Sequence, residues 1–213
     1  MSNSGGDLDN AIEISGASDG TKIGNVADAM KVSLSGTGAT SEIEPATFIA
    51  CAENTTIGNN KSMFSLLNAS GSSVVVKIRA LWLINSRSTA ITGVVSLFFL
   101  RRMTGHSSGT SITPMAHDSG DSLSASVTAQ TNGTISGEAS ENLRQFKWSS
   151  DEWGVGGVDV ESYDHTIQQI FPALYAVQKT KPITLRAGEG ITLKHVVNST
   201  AGTFDVCCLF TTE

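Results

Sequence analysis

The residues of this chain whose types could do chemistry are few. His117-Asp118 has the makings of a base with its orienting carboxylate or of a metal-ligand pair, and His195 offers a second imidazole. No His, Cys or Glu near His117 completes a ligand set of known spacing, so a solvated loop pair is expected there. His195 falls on the apolar side of an alternating run, which predicts a core or interface histidine. Asp118 and Asp121 in "DSGDS" hint at calcium but lack the regular acidic positions and closing Glu of an EF-hand loop. There is no G-x-S-x-G around any serine. A hydrolase or metal-dependent isomerase resting on His117 and His195 is therefore the weakest of the function classes considered. No catalytic residue, cofactor or metal is expected.

Two further stretches invite a chemical reading. "RAGEGITL" (186–193) holds a Gly-Glu-Gly, but a phosphate-gripping loop leads into a helix whose N–H groups face the anion. Here alternating residues, Ile191, Leu193 and His195 against Thr192 and Lys194, predict a strand, so a turn with positive φ at glycine is expected. "KWSSDEWGVGG" carries Trp148 and Trp153 around Asp151 and Glu152, a set able to stack on a sugar ring and accept its hydroxyls; anchoring a loop against a sheet or partner subunit is the commoner use of such residues. Cys207-Cys208 are adjacent, and in a strand they would point to opposite faces, with Cys208 beside Phe204, Val206 and Phe210 in the core. Ordinary buried cysteines fit better than a vicinal disulfide.

The elements that must position these residues read as strands. Alternation in "VVVKIRALWLI" (74–84) puts Val74, Val76, Ile78, Ala80, Trp82 and Ile84 on one face, and "TGVVSLFFLRRM" (92–103) looks like a central strand leaving the core. "NSRSTAITG" between them predicts a hairpin and antiparallel neighbours. Residues 104 to 140 form a long Gly/Ser-rich surface excursion with two edge strands, "SITPMAH" and "SASVTAQT". "HTIQQIFPALYAV" (165–177) has helical spacing, but Pro172 argues for a bent strand or loop. "PITLR", "GITLKHVV" and "TFDVCCLFTT" complete the strand signals. The fold class expected is all-β, a β-sandwich, with an extended N-terminal arm over residues 1–45 and a body over 46–213. Spaced aliphatics in the arm, Ile23, Val26, Met30, Val32 and Leu34, would dock on a partner or on the body itself.

Composition narrows the function. Of the 213 residues 16% are charged, against about 25% in an ordinary soluble protein, and the net charge is −6 with a pI near 5.2. That balance argues against direct, sequence-independent nucleic-acid binding, and Arg101-Arg102 is too small a basic patch to reverse it. No apolar run reaches the roughly 18 residues a membrane span needs, and "MSNSGGDLDN" lacks a signal peptide's features. A soluble chain made in the cytosol is expected. Cys51, Cys207 and Cys208 are too sparse for a disulfide framework. Sequons begin at Asn54, Asn68, Asn132 and Asn198, and are expected to be turn chemistry.

"DGTKIGNVADAMKV", "SITPMAHDSGDS" and "ITLRAGEGITLKHV" with "GTFDVCCLFTTE" together resemble virion structural proteins of tailed bacteriophages. The resemblance, one of short phrases over most of the chain, implies a jelly-roll or related sandwich, no enzymatic activity and a self-assembling symmetric role. It points to a capsid decoration or cement protein in the virion, a homo-oligomer with the trimer as first expectation, contacting the major capsid protein or other virion proteins. The alternative is a tail, collar or fibre-associated module that binds a receptor or carbohydrate through Trp148, Trp153 and Tyr163.

Overall fold

The computed structural model describes residues 44–86, 95–149, 167–172, 181–197 and 202–213. The strands are β1 (Ala46–Thr56), β2 (Lys61–Asn68), β3 (Val76–Asn85), β4 (Val95–Met103), β5 (Gly105–Ser107), β6 (Thr110–Ile112), β7 (Met115–Ala116), β8 (Val127–Thr131), β9 (Thr134–Ser136), β10 (Asn142–Ser149), β11 (Ile167–Phe171), β12 (Ile183–Leu185), β13 (Glu189–His195) and β14 (Thr203–Thr212). Among the described residues there is no helix, and the body is an all-β sandwich. Its first sheet runs β11-β3-β14-β1-β7, with β12 also on β3; its second runs β10-β4-β13-β2-β8-β6; β5 and β9 pair separately. The arm expected before the body lies, but for its last two residues, outside the described residues.

The pairing is nested. β1 pairs β14, β2 pairs β13, β3 pairs β11 and β12, and β4 pairs β10, all antiparallel. Each strand of the first half thus meets its counterpart counted back from the carboxyl end. One long antiparallel ribbon has folded over so that its strands alternate between two layers.

Period-two patterning then fills the space between the layers. Phe48, Ala50, Val206, Cys208 and Phe210 point inward from the first sheet, and Phe64, Leu66, Phe98, Leu100, Ile191 and Leu193 from the second, all at most 1% exposed. Burying one such large apolar side chain contributes about 1.5–3 kcal/mol. Phe98 ties the layers together: its ring stacks on Phe146 at 5.1 Å and meets Phe204 of the opposite sheet edge-on at 5.5 Å.

The fold departs from the sequence expectation in two places. β3 and β4 are not neighbours, because β14 takes the place beside β3 and β13 the place beside β4. The connection between them carries the chain from one sheet to the other. Nor do Trp82 and Ile84 share a face with Val76 and Ile78. Between Ile78, opposite Phe210, and Ala80, opposite Leu209, β3 holds one extra residue, Arg79. Such a bulge reverses the in-out phase. Beyond it Leu81 and Leu83 are buried, while Trp82 and Ile84 turn to the outside of the sheet.

Most other expectations hold. β4 is a central strand, flanked by β10 and β13. Residues 167–171 form a strand that ends at a cis Phe171-Pro172 bond. "SITPMAH" does make edge strands, one in each sheet, since β6 ends the second sheet beside β8 and β7 ends the first beside β1; "SASVTAQT" does not, because β8 lies between β2 and β6. The Gly-Glu-Gly is a corner between the sheets. Glu189 N–H donates to Arg186 O at 3.0 Å and Gly188 has φ +82°, the shape a type II turn asks of its third residue. Gly190 is needed for a different reason, since a Cβ there would lie 2.7 Å from the Leu66 carbonyl.

Candidate functional site

Each sheet has an outer face, and the two are treated differently. The outward-pointing residues of the second sheet include a polar set, Ser62 and Ser65 on β2, Thr192 and Lys194 on β13 and Arg101 on β4, beside the apolar Phe99 of β4. The first four are nonetheless buried, Ser65 and Thr192 completely. What covers them is the excursion after β4. Ala139 N–H donates to Arg102 O, Thr104 N–H to Ser136 O and Asn132 N–H to Ser62 O, so the segment returns over the strands it left.

Beneath this roof most of the polar groups meet a partner of matching chemistry, although Gln130 Oε1 has none. Ser62 and Thr192 hydroxyls share a hydrogen bond at 2.9 Å. Ser65 Oγ lies 2.8 Å from His106 Nδ1, and His106 Nε2 lies 2.9 Å from Thr128 Oγ1. A serine on a histidine suggests a nucleophile and base, but Ser65 is 0% exposed and the second ring nitrogen faces a hydroxyl. No substrate reaches it, and burial lowers the His106 pKa, favouring the neutral ring of a structural network.

The strongest electrostatic feature lies alongside. Glu138 accepts from Lys194 Nζ at 2.6 Å and from Arg101 at 2.9 Å; Arg101 Nε also donates to Asn142 at 2.6 Å, and its guanidinium sits 4.5 Å from the Phe99 ring centre. Burial by itself would raise the Glu138 carboxyl. The hydrogen bonds and positive charges of Lys194 and Arg101 outweigh it and hold the pKa below its ordinary value. Nothing in the local sequence around Glu138 signals that it meets a lysine 56 positions on.

The residues singled out by type are not brought together. His195 is wholly buried against Phe98, its Nδ1 at 2.8 Å from Gly58 O and its Nε2 without a partner. Burial lowers its pKa, against a smaller opposing contribution from the Gly58 bond. His117 is exposed beside β7, and Asp118 turns inward on its own loop, Oδ1 accepting from Gly120 N–H and its carbonyl from Asp121 N–H. No group of three His, Cys, Asp or Glu able to hold a metal occurs among the described residues. Of the sequons, Asn54 takes positive φ where the β1 register shifts and Asn132 takes it just after β8, whereas Asn68 is buried and clamps Val74 O and Leu185 O.

The first sheet presents a different outer face. One row across it is Ala80, Leu209, Ile49 and Met115; the next is Gln169, Trp82, Cys207 and Cys51; a third begins with Ile167 and Ile84 and ends at Asp205. Met115 is 66% and Ile167 59% exposed, at opposite corners of this band. Charged residues border it: Lys77 and Arg79, both paired with Glu213, on one side, and Glu53 and Asp205 on the other. An apolar centre inside a polar rim is the anatomy of a protein-protein contact.

Of the partner-contact residues expected from sequence, Ile23, Val26, Met30, Val32, Leu34, Trp153 and Tyr163 lie outside the described residues. Trp148 is placed by its backbone near the end of β10, opposite Ser96. The apolar outer band escaped sequence reading because the bulge at Arg79 hides the side to which Trp82 and Ile84 turn. Comparison with protein-family profiles, with characterised proteins and with solved structures gives no match to the chain.

Proposed function

We propose that the chain is a self-associating structural component of a bacteriophage particle, a capsid decoration or cement protein with a jelly-roll body. The nested pairing supports the jelly roll: the runs β1-β14-β3-β11 and β2-β13-β4-β10 have the order that an antiparallel ribbon takes when it wraps into two sheets. Sandwiches of this kind serve in viral capsids and lectins. The observation that carries the reading is the apolar outer band of the first sheet, bounded by Met115 and Ile167 and rimmed by charge. The second sheet has the β2 and β13 part of its outer face covered by its own excursion, which favours the first as the side through which copies of the chain meet.

The mechanism is non-covalent. Closed symmetry would join the copies, with a trimer as the expected form, and each assembly would add contact area across joints between coat subunits. Binding that favours the intact shell stabilises it by mass action, and many weak contacts sum over a shell. The test is the number of copies in purified particles, measured by quantitative mass spectrometry against the coat subunit. A copy number in fixed proportion to the coat is expected. Absence from particles, or presence in only the few copies a tail or fibre carries, would overturn the decoration role, and the few-copy result would favour a receptor-binding module.

A further inference from the structure

β1 and β14 lie side by side, and their register sets Cys51 directly opposite Cys207. Both side chains turn to the outer face, since the flanking Ala50, Ala52, Val206 and Cys208 are all in the core. Directly opposed residues of an antiparallel pair stand about 4.5 or 5.5 Å apart at Cα, depending on the pair type. Both values fall inside the roughly 4.4–6.8 Å that a disulfide spans. The two thiols are free and face each other across the strand pair. We propose that Cys51 and Cys207 form a redox-responsive cross-strand pair that closes to an intramolecular disulfide when the protein meets a small-molecule disulfide such as oxidised glutathione.

The order of events follows from exposure. Cys51 is exposed, so its thiolate attacks the small disulfide; a sulfur-sulfur bond forms to Cys51, the original one breaks, and one small thiol leaves. Cys207 then loses its proton to solvent and attacks the Cys51 sulfur, expelling the second small thiol. Two protein thiols are oxidised and one disulfide is reduced to two thiols. Cys207 is half-buried, and burial, then the contact with Cys51 and the nearby Asp205 and Glu53 carboxylates, push its thiol up to about 12. The contribution of Cys51 disappears once it carries the small thiol, but the burial remains and slows the closing step, which suits a structural staple and not a turnover catalyst. Cys208 cannot compete, because it is 0% exposed on the opposite side of the strand.

The bond would join the first strand of the sandwich to the last, closing a loop around nearly the whole body. Cross-links of long loops remove the most freedom from the unfolded chain. It would form once the protein leaves a reducing compartment. Its formation needs no role in a particle, but Cys51 and Cys207 lie within the outer band, so the reaction takes place before copies meet through that band.

The experiment treats the full chain with oxidised glutathione, blocks remaining thiols with N-ethylmaleimide under denaturing conditions, and maps peptides without reduction. Expected are a mass about 2 Da lower before blocking, a single linked pair Cys51-Cys207, one maleimide on Cys208, and a melting temperature raised by about 5–15 °C that dithiothreitol reverses. Cys51→Ser and Cys207→Ser, both on the outer face, should fold normally and show no gain. Arrest as a glutathione adduct on Cys51, a link through Cys208, or dimers bridged by Cys51 would each overturn the proposal.

Discussion

Replacing Glu138 by alanine is expected to destabilise the protein by roughly 2–4 kcal/mol, a fall in melting temperature of about 5–15 °C. The change leaves Lys194, which is 6% exposed, without its anion beneath the roof of the second sheet, and it also frees one arm of Arg101. An uncompensated buried ammonium is what makes the loss large; the ion pair itself need not be worth that much against an apolar replacement. Lys194→Met therefore makes the informative contrast. It removes the buried charge while Glu138 keeps Arg101, and should cost no more than about 1 kcal/mol. Equal losses in the two variants would mean that the excursion does not close over the sheet as described.

The same carboxylate links stability to pH. Its pKa in the folded protein lies below the ordinary 4.5, so as acid is added the unfolded chain takes up this proton first. The stabilisation is complete above about 4.5, and is lost as the pH falls through the lower folded-state value. Thermal melts of the parent and Glu138→Gln should thus differ most near neutrality and converge in acid. A gap that widened on acidification would contradict the sign.

Phe98→Ala is the second large effect, about 3–5 kcal/mol. Phe98 is 0% exposed and touches Phe146, Phe204 and His195, so truncation opens a cavity that belongs to both sheets and cannot collapse without moving one against the other. Its neighbour Phe99 points the other way, under the Arg101 guanidinium, and Phe99→Ala should cost about 1 kcal/mol. Chemical denaturation of the pair tests the phase of β4 residue by residue. If Phe98→Ala does not fold, Phe98→Leu, expected to lose about 1–2 kcal/mol, keeps the comparison measurable. Equal costs at 98 and 99 would place the strand out of register.

How much of this was legible in the sequence varies from strand to strand, for physical reasons. Where a strand has no irregularity before its core stretch, period two is enough: Ile191, Leu193 and His195 face inward as read, and Cys207 and Cys208 part to opposite faces. In β3 the same rule fails after Arg79, because one extra residue reverses every later side chain while leaving the sequence alternation intact. The β3 to β4 hairpin failed because a turn-like connector is equally compatible with pairing and with crossing to the other sheet. Composition predicts that the excursion lies on the surface. That it seals Lys194 and Ser65 depends on contacts 41 and 56 positions apart, for which composition carries no signal. Cys51 and Cys207 likewise become neighbours only through the pairing of the first strand with the last. The expected contact residues of the arm and of the Trp153 loop fall outside the described residues, while the apolar band at Met115 and Ile167 came from the structure alone.

Native mass spectrometry of the recombinant chain, alone and as Ile167→Asp, tests the central claim most directly, namely that the outer band of the first sheet joins copies of this protein. Ile167 is 59% exposed, so the substitution should leave the fold and melting behaviour of the monomer nearly unchanged. The parent is expected to appear as a single closed oligomer at micromolar concentration, and the variant, with a carboxylate driven into the apolar contact, as a monomer. A parent that is monomeric at every concentration, or an oligomer indifferent to the new carboxylate, would contradict the account.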